Sequence, residues 1–151
     1  MAEKPIAENR RARHDYQFVE KVEAGLVLTG TEVKSLRAGR TTMAHAYADV
    51  RDGEAWLHGL EIAAYEQGNR ANHEPVRARK LLLHRREIDS LYGKVREKGL
   101  TIVPTRLYFK DGRVKVELAV ARGKELRDKR RDVAERDAKR QMERALKSRR
   151  A

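Results

Sequence analysis

The hydrophobic pattern of the chain has a period of two in two segments, and each segment surrounds an Asp-Gly pair. After the pair at 111–112, valine and leucine occupy every second position from Val114 to Val120. An Asp-Gly pair favours the type I′ turn between antiparallel strands, because both central residues of that turn need a positive φ. The pair at 52–53 lies in a similar setting. The pattern therefore predicts two β-hairpins.

A helical spacing replaces this alternation in two other segments. Apolar residues between Ile88 and Val95 recur at i, i+3, i+4 and i+7, and Gly99 follows them as a stop signal. A shorter helix is predicted to follow Thr31, which would be its N-cap, and to end at Gly39. The sequence thus predicts one amphipathic helix and one short helix.

The order of these elements is not the regular alternation of a parallel α/β sheet. Strand-like sequence begins near Tyr16, and the short helix, a hairpin, the longer helix, the second hairpin and a charged tail follow it. Several short strands with few helices favour a small antiparallel barrel. We therefore predict a mainly β fold with short helices, in which a polar basic segment (1–13) precedes the barrel (14–122) and a basic tail (123–151) follows it.

Positive charge is concentrated in the tail. The chain has 151 residues and a net charge of +12, and from Arg122 onward it has 13 Lys and Arg against 6 Asp and Glu. A basic arm favours a polyanionic partner, because each phosphate that it neutralises releases condensed counterions. The apolar side of the tail is mostly alanine, which buries little area, and helix nucleation is costly. We predict that the tail is disordered when free and becomes helical against a phosphate-lined surface.

The motifs do not indicate an enzyme. The P-loop, H-E-x-x-H and G-x-S-x-G patterns are missing, and so is cysteine, which excludes disulfides and thiolate metal sites. We expect no catalytic residue, no metal and no cofactor. One alternative is a metal-dependent nuclease that uses Asp49 and Asp52, although solvated turn residues are the more common role for such a pair.

The location expected from the sequence is the cytoplasm. The first residues lack the apolar core of a signal peptide, and no segment approaches the roughly 20 apolar residues that span a bilayer. Binding of the tail to a membrane surface is not expected either, because its apolar side is mostly alanine.

Clusters of basic residues are the positive functional signal. They are NRRAR at 9–13, KSLRAGR at 34–40, RARK at 77–80, and the tail. A solvated surface explains any single cluster equally well, but four clusters around a barrel favour nucleic acid. Small barrels bind single-stranded or irregular nucleic acid through basic grooves and exposed aromatic rings. The candidate stacking rings are Tyr16, Trp56, Tyr65 and Tyr108.

Six motifs in order resemble the small protein B family, the tmRNA-binding (SsrA-binding) proteins of bacterial trans-translation. They are NRRARHDY, EAGLVLTGTEVKSLRAGR, RARKLLLH, REIDSLYGK, GLTIVP and GKELRDKR. The resemblance covers nearly the whole chain. It implies an OB-like antiparallel β-barrel with flanking helices, and a non-catalytic RNA-binding adaptor that needs no cofactor.

The resemblance also implies partners. Such a protein binds the tRNA-like domain of tmRNA (SsrA RNA), promotes its aminoacylation, and delivers it with elongation factor Tu to stalled ribosomes. Its tail enters the decoding centre and the empty mRNA channel of the small subunit. A structural ribosomal protein, with the tail threaded permanently through ribosomal RNA, is the second hypothesis.

Matching the family motifs residue by residue gives two sets of expected contacts. The residues expected to bind tmRNA are Asn9, Arg13, His14, Glu23, Lys34, Ser35, Arg37, Arg79, Lys80, Leu82, His84 and Lys115. The residues of the tail expected to bind the ribosome are Gly123, Lys124, Arg127, Asp128, Lys129, Arg130, Arg131, Lys139 and Arg140.

Two of these positions, and Ala138 in the tail, differ from a simple basic contact. Glu23 repels phosphate, so it suits RNA only as an acceptor for base or ribose donors, and a purely structural role is an equally good interpretation. Arg127 stands where many members have Tyr or His, and a guanidinium plane also stacks on bases. Ala138 stands where some members have Trp.

Overall fold

The structure is a computed structural model that describes residues 3–65, 72–123 and 136–146. The first strands and helices are β1 (Glu3–Glu8), α1 (Arg10–Asp15), β2 (Tyr16–Leu26), α2 (Gly30–Arg37), β3 (Thr41–Thr42), β4 (Tyr47–Arg51) and β5 (Glu54–His58). They are followed by β6 (Glu61–Ile62), β7 (Arg79–Leu82), α3 (Arg85–Lys98), β8 (Thr101–Lys110) and β9 (Arg113–Gly123). Residues 136–146 form a further helix, α4.

Seven of the strands form one antiparallel sheet that closes on itself. Their order is β1-β8-β4-β5-β7-β2-β9, and β9 also pairs with β8, so six strands complete a ring while β1 extends its edge. The short strands β3 and β6 pair separately. The predicted mainly β fold with short helices is confirmed, and the closed antiparallel ring agrees with the predicted barrel.

Both predicted hairpins are present. Residues 52–53 join β4 to β5, and residues 111–112 join β8 to β9, each as a two-residue loop. All four loop residues have a positive φ, between 51° and 77°. This is the backbone of a type I′ turn, which fixes the pairing of the residues next to each loop.

The start of α2 differs from the prediction by two residues. Its N-cap is Thr29, not Thr31, because Glu32 completes a capping box in which each side chain bonds the other residue's backbone N–H. The predicted amphipathic helix is α3, and it ends at Gly99 with a φ of 64°. That left-handed conformation favours glycine.

The core lies inside the ring. Leu57, Leu107, Val116 and Leu118 are fully buried there. Near its end β9 is buried on both faces, because Ala119 and Ala121 pack with Ala12 of α1 in a second apolar cluster. A helix lying over the outer face of the ring thus extends burial beyond the single face that the alternation predicts.

The N-terminal segment contains two elements where the sequence analysis assigned none. β1 pairs with β8, and α1 packs on β8 and β9 through Ala12. An edge strand with few buried residues gives little periodic signal, which is why the pattern of EKPIAE did not reveal it.

The tail is described only in part. Gly123 is the last residue of β9, and α4 is a helix whose residues are all exposed, Lys139 and Arg140 among them. Lys124, Arg127, Asp128, Lys129, Arg130 and Arg131 lie outside the described residues. Disorder of the free tail therefore stays a prediction. No helix in the described part of the chain is long and apolar enough to cross a membrane.

Candidate nucleic-acid interface

Four of the predicted RNA-binding residues come from distant parts of the chain and line one depression. Glu23, Leu82, His84 and Lys115 surround a space of about 450 Å³. They meet because β2 lies between β7 and β9, so that Gly25 pairs with Leu82 on one side and with Lys115 on the other. The sheet register thus assembles a site from three separate segments of the chain.

Two adjoining depressions extend this site along the β8–β9 hairpin. One shares Glu23 and Lys115 and adds Lys110 and Arg113, with a volume of about 440 Å³. The next, of about 500 Å³, is reached through Asp111 and is lined by Arg37 and Phe109, among others. We call the surface formed by Glu23, Leu82, His84, Lys110, Arg113 and Lys115 the hairpin groove.

Glu23 is held as an ionised acceptor within the groove. The buried Tyr108 hydroxyl donates to Glu23 Oε2, and Lys110 Nζ lies 3.4 Å from both carboxylate oxygens. The Tyr108 hydrogen bond is the main cause that lowers the pKa of Glu23, and the Lys110 charge adds to it. Burial, followed by the Glu23 carboxylate, raises the pKa of Tyr108, so its hydroxyl stays a donor.

Helix α2 presents two predicted residues and buries a third. Lys34 and Arg37 are exposed, and their cations lie 5.4 Å and 5.1 Å from the ring centroids of Tyr65 and Phe109. Ser35 is buried, and its Oγ donates to Ala63 O at 2.6 Å. Its hydroxyl fastens α2 to the backbone just after β6 and does not reach the surface.

Arg79 is also inside, although it belongs to a basic cluster in the sequence. Its side chain is 0% exposed, and its Nε lies 2.5 Å from Glu32 Oε2. The guanidinium also donates to the backbone oxygens of Leu60, Arg77 and Pro75. Each of the three guanidinium nitrogens donates within the protein and the side chain is fully buried, so Arg79 acts by positioning α2 against β7 and not by direct RNA contact.

Glu32 is the buried centre of this network. Its carboxylate accepts hydrogen bonds from the Thr29 N–H, from Arg77 and from Arg79. Burial opposes its ionisation, but these three donors outweigh it, so the pKa of Glu32 is lowered. The network ties the helix that carries Lys34 and Arg37 to the strand that leads to the groove.

The N-terminal motif lies away from the groove. Asn9 is buried, its Nδ2 donates to Pro104 O at 2.9 Å, and its Oδ1 caps α1. Arg13 and His14 are exposed on α1. This helix adjoins Tyr16, which pairs with Gly123 at the opposite end of β2 from Gly25. The structure therefore divides the predicted contacts between two ends of the ring.

Other predicted residues take simpler positions. Lys80 is half-buried on the outer face of β7, with Nζ 3.1 Å from Glu54. Asp49 bonds His58 and Arg51, while Asp52 forms the first turn. Tyr108 was predicted as a candidate stacking ring, but it is 1% exposed and serves Glu23 instead.

Sequence reasoning did not single out Lys110 and Arg113. They flank the Asp-Gly turn and are paired across it. In the sequence they read as ordinary solvated hairpin residues. The alternation that places Lys115 on the outer face of β9 also places Arg113 there, two positions earlier, and Arg113 is paired with Lys110. The pattern could therefore have identified both residues.

Comparisons with known proteins agree with these features. The family model of the SmpB protein matches residues 6–148. The SsrA-binding protein of Syntrophomonas wolfei is 59% identical over 146 residues, covering 97% of this chain and 93% of that protein. The SsrA-binding protein of Thermobifida fusca is 60% identical over 147 residues, covering 97% and 92%.

A solved structure is similar as well. It is described as "tmRNA-SmpB: a journey to the center of the bacterial ribosome", and its matching chain is 55% identical with a TM-score of 0.67. The match covers 80% of this chain and 85% of the other.

Proposed function

Because the chain belongs to the SmpB protein family, we propose that it is a non-catalytic RNA-binding adaptor of trans-translation that binds tmRNA. The observation that carries this proposal is the meeting of Glu23, Leu82, His84 and Lys115 in the hairpin groove. Each of them matches a family motif, and no two of the three segments that supply them are neighbours in sequence. The relatives' names do not favour the alternative of a structural ribosomal protein.

The chemistry of the groove suits a folded RNA. Lys110, Arg113 and Lys115 supply cations for phosphates, while Leu82, 54% exposed, supplies an apolar contact for a sugar or base. Glu23 supplies an ionised acceptor for a ribose 2′-hydroxyl or a base amino group. A groove that combines these three kinds of contact distinguishes a shaped RNA from a bare polyanion.

The finer role follows the same family. The chain would promote aminoacylation of tmRNA and, with elongation factor Tu, deliver it to stalled ribosomes in the cytoplasm. The tail would then probe the decoding centre and the empty mRNA channel. The net positive charge of the tail and the fully exposed α4 support this division of labour, since neither is needed to complete the ring.

The salt dependence of binding tests the groove. We expect the affinity for the isolated tRNA-like domain of tmRNA to fall with salt, and Lys115→Ala or Arg113→Ala to reduce the slope of log K against log salt by about 0.7–0.9 each, one phosphate contact apiece. Fluorescence anisotropy at several salt concentrations measures this slope. Lys98→Ala is the control, because that lysine is at the far end of α3, about 20 Å along the helix from its start next to His84. An equal change in slope for Lys98→Ala, or salt-insensitive binding of the parent chain, would contradict the proposal.

Glu23→Gln separates the recognition role of Glu23 from its charge. If the carboxylate accepts a hydrogen bond from RNA, the variant should bind the tRNA-like domain about tenfold more weakly, because bonds to charged groups contribute about 1.5–3 kcal/mol. If charge alone mattered, losing an anion would strengthen binding. Glu20→Gln is the matched control on the same strand, where the carboxylate pairs with Lys94 outside the groove. Its affinity should stay within about twofold of the parent or rise slightly.

A further inference from the structure

A second surface, away from the hairpin groove, is built around Tyr47 at the start of β4. Tyr47 is 47% exposed, and its ring stacks on the His58 imidazole with centroids 5.1 Å apart and planes 26° from parallel. The imidazole is fixed in turn, since His58 Nε2 lies 2.7 Å from Asp49 Oδ1. The tyrosine ring is therefore held in place while nearly half of the residue stays open to solvent.

A depression of about 350 Å³ opens beside this ring, between α1 and the start of β4. The residues that line it include Arg11, Tyr16, His45 and Tyr47. We call this depression the Tyr47 slot. His58 does not line it, so the imidazole and the slot meet different parts of the tyrosine ring. The volume lies at the lower end of the range for small-ligand sites, which suits a single nucleotide.

One rim of the slot is formed by a basic helix. Arg11 lines the slot, and Arg10 and Arg13 are exposed on the same helix, α1. The acid at this rim is Asp15, and its carboxylate lies 3.3 Å from Arg11 Nε and 3.0 Å from His14 Nδ1. Arg11 thus compensates the carboxylate of Asp15, and the three arginines of α1 leave the helix with an excess of positive charge.

A second exposed tyrosine shows what is particular to Tyr47. Tyr92 on α3 is 44% exposed, but the Arg96 guanidinium lies over its ring at 5.7 Å and donates to its hydroxyl. That ring already has a cation from its own helix. Tyr47 instead combines a fixed ring, an adjoining space and an arginine, Arg11, that lines this space. This is the combination that single-stranded nucleic-acid sites use, with a stacking ring for the base and cations for the backbone.

We propose that the Tyr47 slot binds one unpaired nucleotide of RNA, with the base stacked on Tyr47 and the phosphate towards the arginines of α1. The site rests on the proposed RNA-binding function, but it is separate from the hairpin groove and lies at the other end of β2. Stacking recognises the face that every base has, so the slot is expected to be tolerant of base identity. It gives the adaptor a contact with a single-stranded segment in addition to the folded RNA in the groove.

NMR with a mononucleotide tests the slot directly. Titrating the ¹⁵N-labelled full chain with adenosine 5′-monophosphate should shift amide signals of α1 and of the start of β4. Tyr47→Leu should raise the apparent Kd by about fivefold or more. Tyr47→Phe keeps the ring, so its Kd should stay within about twofold of the value for the parent chain. Tyr92→Leu is the matched control and should titrate like the parent.

Three results would contradict the proposed binding at the slot. The first is that the amide shifts are centred on Glu23 and Lys115, and the second is that Tyr47→Leu binds as tightly as the parent. The third is that inorganic phosphate alone causes the same shifts, which would indicate an anion site without stacking. Binding of the tRNA-like domain by the parent chain is measured in parallel. Its loss would refute the proposed function, whereas its retention with a failed mononucleotide titration would refute only the slot.

Discussion

Replacing Glu32 by glutamine is expected to lower the free energy of unfolding by about 3–5 kcal/mol, because breaking a buried ion pair leaves the remaining charge uncompensated. That charge is Arg79, which is 0% exposed and has no route to solvent. Arg77, the other guanidinium on Glu32, is 32% exposed and can turn outward. The cost therefore arises mainly from Arg79. Denaturant unfolding, followed by the fluorescence of the single tryptophan, measures it.

Two further variants isolate the cause. Glu54→Gln removes a carboxylate whose ion pair with Lys80 is almost half-exposed. This variant should therefore lower the free energy of unfolding by less than about 1 kcal/mol. Adding Arg79→Met to Glu32→Gln should recover part of the lost stability, because the buried charge is then gone as well. A Glu32→Gln chain as stable as Glu54→Gln would show that the network is not what holds α2 in place.

The pH dependence has a definite sign. The pKa of Glu32 is lowered in the folded chain from an ordinary value of 4.5. A depressed carboxyl pKa contributes stability that is present above the unfolded value and is lost as the pH falls through the folded value. The parent chain should thus lose stability below about pH 4.5 more steeply than Glu32→Gln does.

Truncating the chain after Arg127 is expected to abolish peptide tagging on stalled ribosomes while leaving tmRNA affinity within about twofold of the parent at moderate salt. The residues of the hairpin groove all precede Gly123, so they remain. The deleted residues 128–151 contain 10 Lys and Arg against 5 Asp and Glu, and they include α4. Translation in vitro of a message without a stop codon, with appearance of the tag as the readout, measures the first effect. Anisotropy with the tRNA-like domain measures the second.

A scrambled tail of identical composition is the matched control. It preserves the net charge but not the order of residues, so it should bind RNA like the parent and still fail in tagging. Tagging by the scrambled chain would mean that charge alone is required. Loss of tmRNA affinity on truncation would contradict the separation of the groove from the tail.

Local signals were sufficient for much of the fold. The two Asp-Gly turns fixed both hairpins, because positive φ at two successive residues is a demand that few sequences meet. The spacing from Ile88 to Val95 and the glycine after it located α3. Thr29 was missed as the N-cap of α2, since Thr31 fits the same local rule. Only the reciprocal bond from Glu32 distinguishes the two.

The basic clusters show where sequence reasoning stopped. RARK at 77–80 was interpreted as one nucleic-acid contact, yet a strand sends neighbouring side chains to opposite faces. Arg79 consequently enters the protein and Lys80 points outward. The sequence does not reveal this, because the partner that makes burial of Arg79 tolerable is Glu32, 47 positions away.

The sequence by itself determined the hairpins, the amphipathic helix, the excess of positive charge and, through its motifs, the family. Each of these depends on residues close together in the chain or on their order along it. The tertiary structure decided which charged residues form the hairpin groove, which are buried as structural pairs, and that Tyr47 lies beside a basic helix. Those outcomes depend on how separate strands are aligned, and that alignment is set by burial summed over the whole ring and not by any one segment.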